Sequence, residues 1–352
     1  MRFRSLFLVV LSLLLSGCSS ISFVHQAWQG QREVMRLSVP VVDLLENPET
    51  DPALKARLQL ALEAREFASS QLGLPDNASY TRYSALPRPY VLWNLFITPE
   101  LSMEPREHCY LLAGCVAYKG YFSKQRAREE AEQWRARGKD VYMAGIPAYS
   151  TLGWYDDPLL SSMLHWDDDY VAGLIFHELA HQQFYLRDET AFNESFASFV
   201  QQEGLRQWRA SRGLAPPDEA GQRQQTEFVD LMLATRKRLE HLYASDQSDK
   251  EKLQGKAQAF AQLELDYRQW RDQRWNGSRR FDPFFAEPLN NASLLPFALY
   301  DQWIPAFEQL FANAEQDWQQ FYRDVEALAR LPHSEREQRL QALAACAAEP
   351  AC

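Results

Sequence analysis

FHELAHQQFYLRDETAFNESFA, residues 176–197, sets two histidines and two glutamates inside an otherwise apolar helix–turn–helix pattern. Polar groups in such surroundings cost free energy unless something pairs them, so their presence needs a reason. His177 and His181 are four residues apart. On a helix both imidazoles therefore project from one face and can converge on one ion, with Glu178 beside them. Asp167, Asp168 and Asp169 precede this helix and offer an N-cap and favourable charge at its positive end.

Zinc in a hydrolytic site takes three protein ligands and leaves a fourth position for water. A third ligand is within reach if the first helix runs to about Phe184 and a second starts near Glu189 with Asp188 as N-cap. Helices folded side by side lie about 8–10 Å apart, and Glu194 then sits at the depth of His181. The expected metal ligands are thus His177, His181 and Glu194 around one Zn2+ per chain, with Glu178 as general base.

The rest of the chain frames this site. Residues 53–73 carry Leu54, Leu58, Leu62 and Phe67 at helical spacing and stop at Gly73. Between 80 and 122 aromatic and β-branched residues broken by Pro and Gly give strand and hairpin texture. Residues 123–137 read as a solvated helix starting at Ser123, and DVYMAGIPAYS (140–150) as one more strand. After Gly204 the pattern is almost wholly helical: 218–244 and 248–274 form a hairpin of charged amphipathic helices around SDQS, and 281–303 interrupts before the last helices. Helices and strands in this order predict an α+β fold with a small mixed sheet, followed by a mostly helical C-terminal part.

Composition narrows the function. Removing residues 1–17 leaves 335 of 352 residues and 35 basic against 47 acidic side chains, a balance of −12, which argues against nucleic acid as a partner. Cys109 and Cys115, like Cys346 and Cys352, form a close pair that can close a small loop in an oxidising compartment. Thiol ligation of a metal is the weaker reading, because no C-x2-C spacing is present. His25, His108, His241 and His333 are scattered and read as surface or satisfied core; His165 is near enough in sequence to line the cleft.

Residues 1–17 read as a signal peptide: Arg2 and Arg4 precede an apolar run from Leu6 to Leu15 that is too short for a bilayer core of about 30 Å. Leu15-Ser16-Gly17-Cys18 resembles the bacterial lipoprotein box, which implies cleavage before Cys18 and a lipid on its thiol. Ser19, where an inner-membrane retention signal would have Asp, favours the outer membrane, facing the periplasm.

HELAH followed by NESFA (193–197) resembles the gluzincin metallopeptidases, in which the two histidines of HExxH and a downstream glutamate hold zinc. More narrowly, VLWNLFITPE, AGCVAYKGYF, DVYMAGIPAYSTLGWYDDPLLSSML, the HELAH segment and LNNASLLPFALY together resemble a bacterial family designated putative zinc aminopeptidases, with lipoprotein members, from about residue 25 to beyond 300. The resemblance implies a gluzincin-like metallopeptidase fold and a zinc peptidase, aminopeptidase favoured. It also implies an aromatic or imidazole donor to the oxyanion, for which Tyr300 is the candidate. Two departures stand out: only 12 residues separate His181 from Glu194, fewer than in the aminopeptidase N and thermolysin types, and no GxMEN-like stretch is present.

The expected organisation is a signal peptide (1–17), a lipid-anchored segment (18–36), an α+β zinc metallopeptidase core (37–210), a long helical hairpin (211–280) and a helical part completing the cleft (281–352). Expected partners are a peptide or protein substrate, the membrane through the lipid, and a protein partner through the helical C-terminal part. Two other readings stand beside the aminopeptidase: an envelope quality-control endopeptidase with a dedicated protein substrate, and a scaffolding lipoprotein with a structural metal site. Intact Glu178 speaks against the last, since a structural site needs no general base.

Overall fold

The computed structural model describes residues 23–110, 114–216 and 218–347. Its centre is helix α5 (Asp168–Gln183), every residue of which from Val171 to His181 is buried. A helix apolar on all sides has no solvent face and must be enclosed by other elements. The Asp167 carboxylate caps its start by accepting from the Tyr170 N–H at 2.8 Å.

Helix α3 (Pro52–Ser70) and helix α6 (Thr190–Ser211) pack against α5. Gly204 on α6 permits this closeness: an added Cβ would lie 2.7 Å from Leu72 and 3.0 Å from Phe176. The outer side of α6 presents Phe192, Phe196 and Phe199 to Phe307, Phe311, Trp318 and Phe321 on helices α10 (Ile304–Asn313) and α11 (Trp318–Ala329). Offset and edge-on aromatic contacts of this kind add to the area they bury.

Among the described residues the strands make three small sheets, not the single mixed sheet the pattern predicts. β1 (Ser38–Pro40), β2 (Arg82–Ser84) and β8 (Leu159–Leu160) form a mixed sheet; β6 (Lys119–Tyr121), β3 (Leu92–Pro99) and β7 (Lys139–Ile146) form an antiparallel one. β4 (His108–Tyr110) and β5 (Gly114–Val116) pair as a hairpin across which Cys109 and Cys115 are disulfide-bonded. Strands of two or three residues are too short to be told from loops by alternation, which is why the partition was not legible. Cys346 on helix α12 (His333–Ala347) is disulfide-bonded as well, while Cys352 lies outside the described residues.

Alternation along β3 divides two environments. Trp93, Leu95 and Ile97 pack with Ala127 and Ala131 of helix α4 (Lys124–Arg135), which Ser123 caps as expected. Leu92, Asn94 and Phe96 face the other way, towards the cleft and a small cluster with Leu295 and Leu299. Helices α7 (Glu219–Ala244) and α8 (Asp249–Gln273) form the expected hairpin, with a core of its own around Phe228, Met232, Leu263 and Tyr267. A helix from residue 23 to 36, α1, precedes β1, and α2 (Val41–Glu46) follows it. No helix among the described residues is long and apolar enough to cross a membrane, and Cys18 lies outside them.

Phe196 is fully buried between the two aromatic layers. Phe196→Ala should cost about 3–5 kcal/mol and lower the Tm by roughly 10 °C. A fall of only about 2 °C by calorimetry would mean the layers collapse to fill the void.

Candidate metal centre

His177, Glu178 and His181 all lie on α5, as their spacing requires. Helix α5 ends at Gln183 and α6 starts at Thr190, so the connection is short. Asn193 closes it: its side chain accepts from the Leu186 N–H at 2.7 Å and donates to the Leu186 carbonyl at 2.7 Å. The next residue, Glu194, thereby faces the two histidines. Its Oε2 lies 3.5 Å from His177 Nε2 and 3.4 Å from His181 Nε2, and the two nitrogens are 3.2 Å apart. All three residues are buried.

These separations test the fit to a metal. Ligands at about 2.1 Å from a tetrahedral ion stand about 3.4 Å from one another. The three observed distances bracket that value, so His177, His181 and Glu194 form a group that could hold a metal ion. Tyr118 donates its hydroxyl to Glu194 Oε1 at 3.2 Å, which leaves Oε2 for the shared point.

The two carboxylates respond differently to the same burial. Burial alone would raise Glu194, but the charges of His181 and His177 and their hydrogen bonds outweigh it and hold the carboxyl at about 2. Glu178 is pushed up to about 8, chiefly by burial and further by Glu194 and Asp157, with His177 only partly opposing. A cation beside Glu178 favours its ionised form.

A cleft of about 440 Å³ opens over this group, bounded by α5 and α6, by Leu92 and Asn94 of β3, and by Ile146 at the end of β7 with residues 147–150 after it. Tyr300, the last residue of helix α9 (Leu295–Tyr300), lines it with its ring stacked on His177, 6.3 Å between centroids. Ser195 places this tyrosine: its hydroxyl donates to the Leu299 carbonyl at 3.5 Å and accepts from the Trp303 N–H at 3.2 Å. Burial, then the charges of Glu194 and Glu178, hold the Tyr300 phenol far above its ordinary value, so it stays a proton donor.

Some expectations need correction. Asp188 is not the N-cap of α6; that position is Glu189. Asp188 has φ +67° and turns its carboxylate to the Cys115 N–H at 2.6 Å, tying the disulfide hairpin to the α5–α6 turn. His165 is exposed and does not line the cleft. Tyr118 and Asn94 were missed, because each meets the site only through contacts distant in sequence; Asp157 was missed because it reaches the cleft through the strap at Thr151.

The model of the family described as "Putative aminopeptidase" matches residues 22–340. The chain belongs to that family. Its description suggests a hydrolase acting on peptides. No curated protein and no solved structure matches the chain.

Asp157 anchors the strap that carries Leu152 into the cleft: its Oδ2 accepts from the Thr151 N–H at 2.8 Å and the Thr151 hydroxyl at 3.0 Å. Burial raises this carboxyl to about 6, against the lowering effect of the Thr151 bonds. Since the fold favours the protonated form, the stability this group contributes is complete below the unfolded value of 3.8 and is lost as pH rises to about 6. Asp157→Asn should therefore gain about 2 kcal/mol relative to wild type between pH 4 and pH 7 in urea unfolding. Parallel stability curves for the two proteins would show that Asp157 does not titrate there.

Proposed function

We propose that this family member is a zinc-dependent peptidase, an aminopeptidase in preference to an endopeptidase, acting at the periplasmic face of the cell envelope. The observation that carries the reading is the near-tetrahedral spacing of His177, His181 and Glu194 beneath a cleft that also contains Glu178. Two imidazoles and a carboxylate suit zinc among the available ions. A bound ion there supplies Lewis acidity to the scissile carbonyl and acidity to a water molecule.

The chain's own groups do the rest. Glu178 removes a proton from the attacking water and later delivers it to the leaving amine, so one water is consumed for each peptide bond broken. The Tyr300 hydroxyl has no protein partner among the described residues and donates to the developing oxyanion. Tyr118 keeps Glu194 oriented. β7 is an edge strand of its sheet, and the extended segment after it borders the cleft, which supports alignment of an extended peptide along it.

The lipid anchor at Cys18 and the outer-membrane location belong to the same proposal. The described part of α1 begins at residue 23, and its exposed Val24 and Trp28 support the reading that this end of the chain lies near a bilayer surface.

Elemental analysis of the protein starting after Cys18 should give one zinc per chain, with Glu194→Ala losing most of it. Glu178→Gln should keep the zinc and lose roughly 100- to 10,000-fold in kcat on amino-acid naphthylamides. Tyr300→Phe should fall by roughly 100-fold or more at unchanged KM. A wild type without metal would end the metallopeptidase reading; zinc with hydrolysis of blocked peptides alone would replace the aminopeptidase by an endopeptidase.

A further inference from the structure

The wall of the cleft formed by the sheet holds one polar side chain, Asn94, on the central strand β3. It is 4% exposed, and its Oδ1 has no hydrogen-bond partner among the described residues. Both of its cross-strand neighbours are small, Gly120 on β6 and Ala144 on β7. At Gly120 even a Cβ would come within 3.2 Å of that oxygen, so the glycine keeps the carboxamide clear. A buried acceptor left unpaired is costly, and such groups in native proteins commonly await a ligand or water.

The rest of the lining gives the chemistry of that ligand. Val116, Ile146, Pro147, Leu152 and Leu174 are apolar, and the ionisable side chains apart from tyrosines are those of His177, Glu178, His181 and Glu194. Among the described residues no lysine or arginine lines the cleft. The charge of a divalent ion would already be balanced by Glu194 and Glu178. A carboxylate entering here would be stripped of water with no lysine or arginine to meet it.

We propose that the Asn94 carboxamide is the polar anchor for a main-chain N–H or terminal ammonium of the substrate, in a cleft that takes uncharged or basic residues beside the scissile bond and rejects acidic ones. This rests on the peptidase reading above. A free carboxyl terminus meets the same penalty as an acidic side chain, so cleavage proceeds from the amino end or within a chain.

The test is calorimetric binding of phosphinic pseudo-tripeptide amides carrying Leu or Glu next to the phosphinate to the zinc-loaded protein, which reads occupancy without turnover. The Leu analogue should bind about 100-fold more tightly than the Glu analogue. Asn94→Leu should weaken the Leu analogue about 10-fold with zinc content and Tm unchanged. Asn94→Asp, nearly the same shape, should shift preference towards a Lys analogue. Equal binding of the Leu and Glu analogues, full affinity in Asn94→Leu, or binding of none of them overturns the proposal. Cleavage of the matching peptides by the same protein judges the peptidase reading separately: analogue binding without hydrolysis would remove that reading alone, and equal hydrolysis of neutral and acidic peptides would remove this one alone.

Discussion

The site depends on the pair of hydrogen bonds between the Asn193 side chain and the backbone of Leu186. Between α5 and α6 the chain has only six residues, 184–189, in which to reverse direction. Such a turn leaves backbone groups without helical partners, and each must find one elsewhere. Asn193 satisfies both groups of Leu186 from within the first turn of α6. Because its neighbour Glu194 is fixed by the same helical backbone, closing the turn also sets where the third ligand stands. The short gap from His181 to Glu194 is therefore workable because the turn is clamped from inside the second helix.

Other contacts extend this constraint outwards. Ser195, one residue further on, binds the backbone on both sides of Tyr300, so a single helical turn of α6 places the candidate ligand and the candidate oxyanion donor together. Phe192 and Phe196 flank this turn and bury it against α10 and α11. Glu189, at the start of α6, is held from α12 by His333 and by Arg336. The C-terminal helices thus set the angle of α6, and through it the geometry of the site.

The readable part of the sequence was the part governed by local rules. Histidines four apart, the acidic cap before α5, the capped start of α4 and the long amphipathic α7 and α8 all follow from helical periodicity and end chemistry, and each appears within a residue or two of expectation. Glu194 was legible because a short turn between helices leaves few depths at which a carboxylate can meet His181. Asp188 was misread because its preference for a cap competed with a left-handed turn and with the Cys115 N–H, 73 residues earlier. Tyr118 and Asn94 carry no local signal: an aromatic or an amide in a strand-rich stretch looks the same whether it faces core or cleft. Their role appears only once β3 and the chain around β6 are laid over α5 and α6.

Two glutamates in one buried site end with opposite proton affinities, and the cause is who their neighbours are. Burial pushes both carboxyls upward. Glu194 has two imidazoles within 3.5 Å and a tyrosine hydroxyl, so its charge is met on every side. Glu178 has only a partial offset from His177 and feels the negative charge of Glu194 and Asp157 as well. Groups whose environments drive their proton affinities apart suit different tasks: one remains an anion that can ligate, and the other can both take and return a proton. In the proposed reaction that division is made by the fold itself. α5 turns Glu178 towards the cleft beside the imidazoles, while the clamped turn sends Glu194 between them.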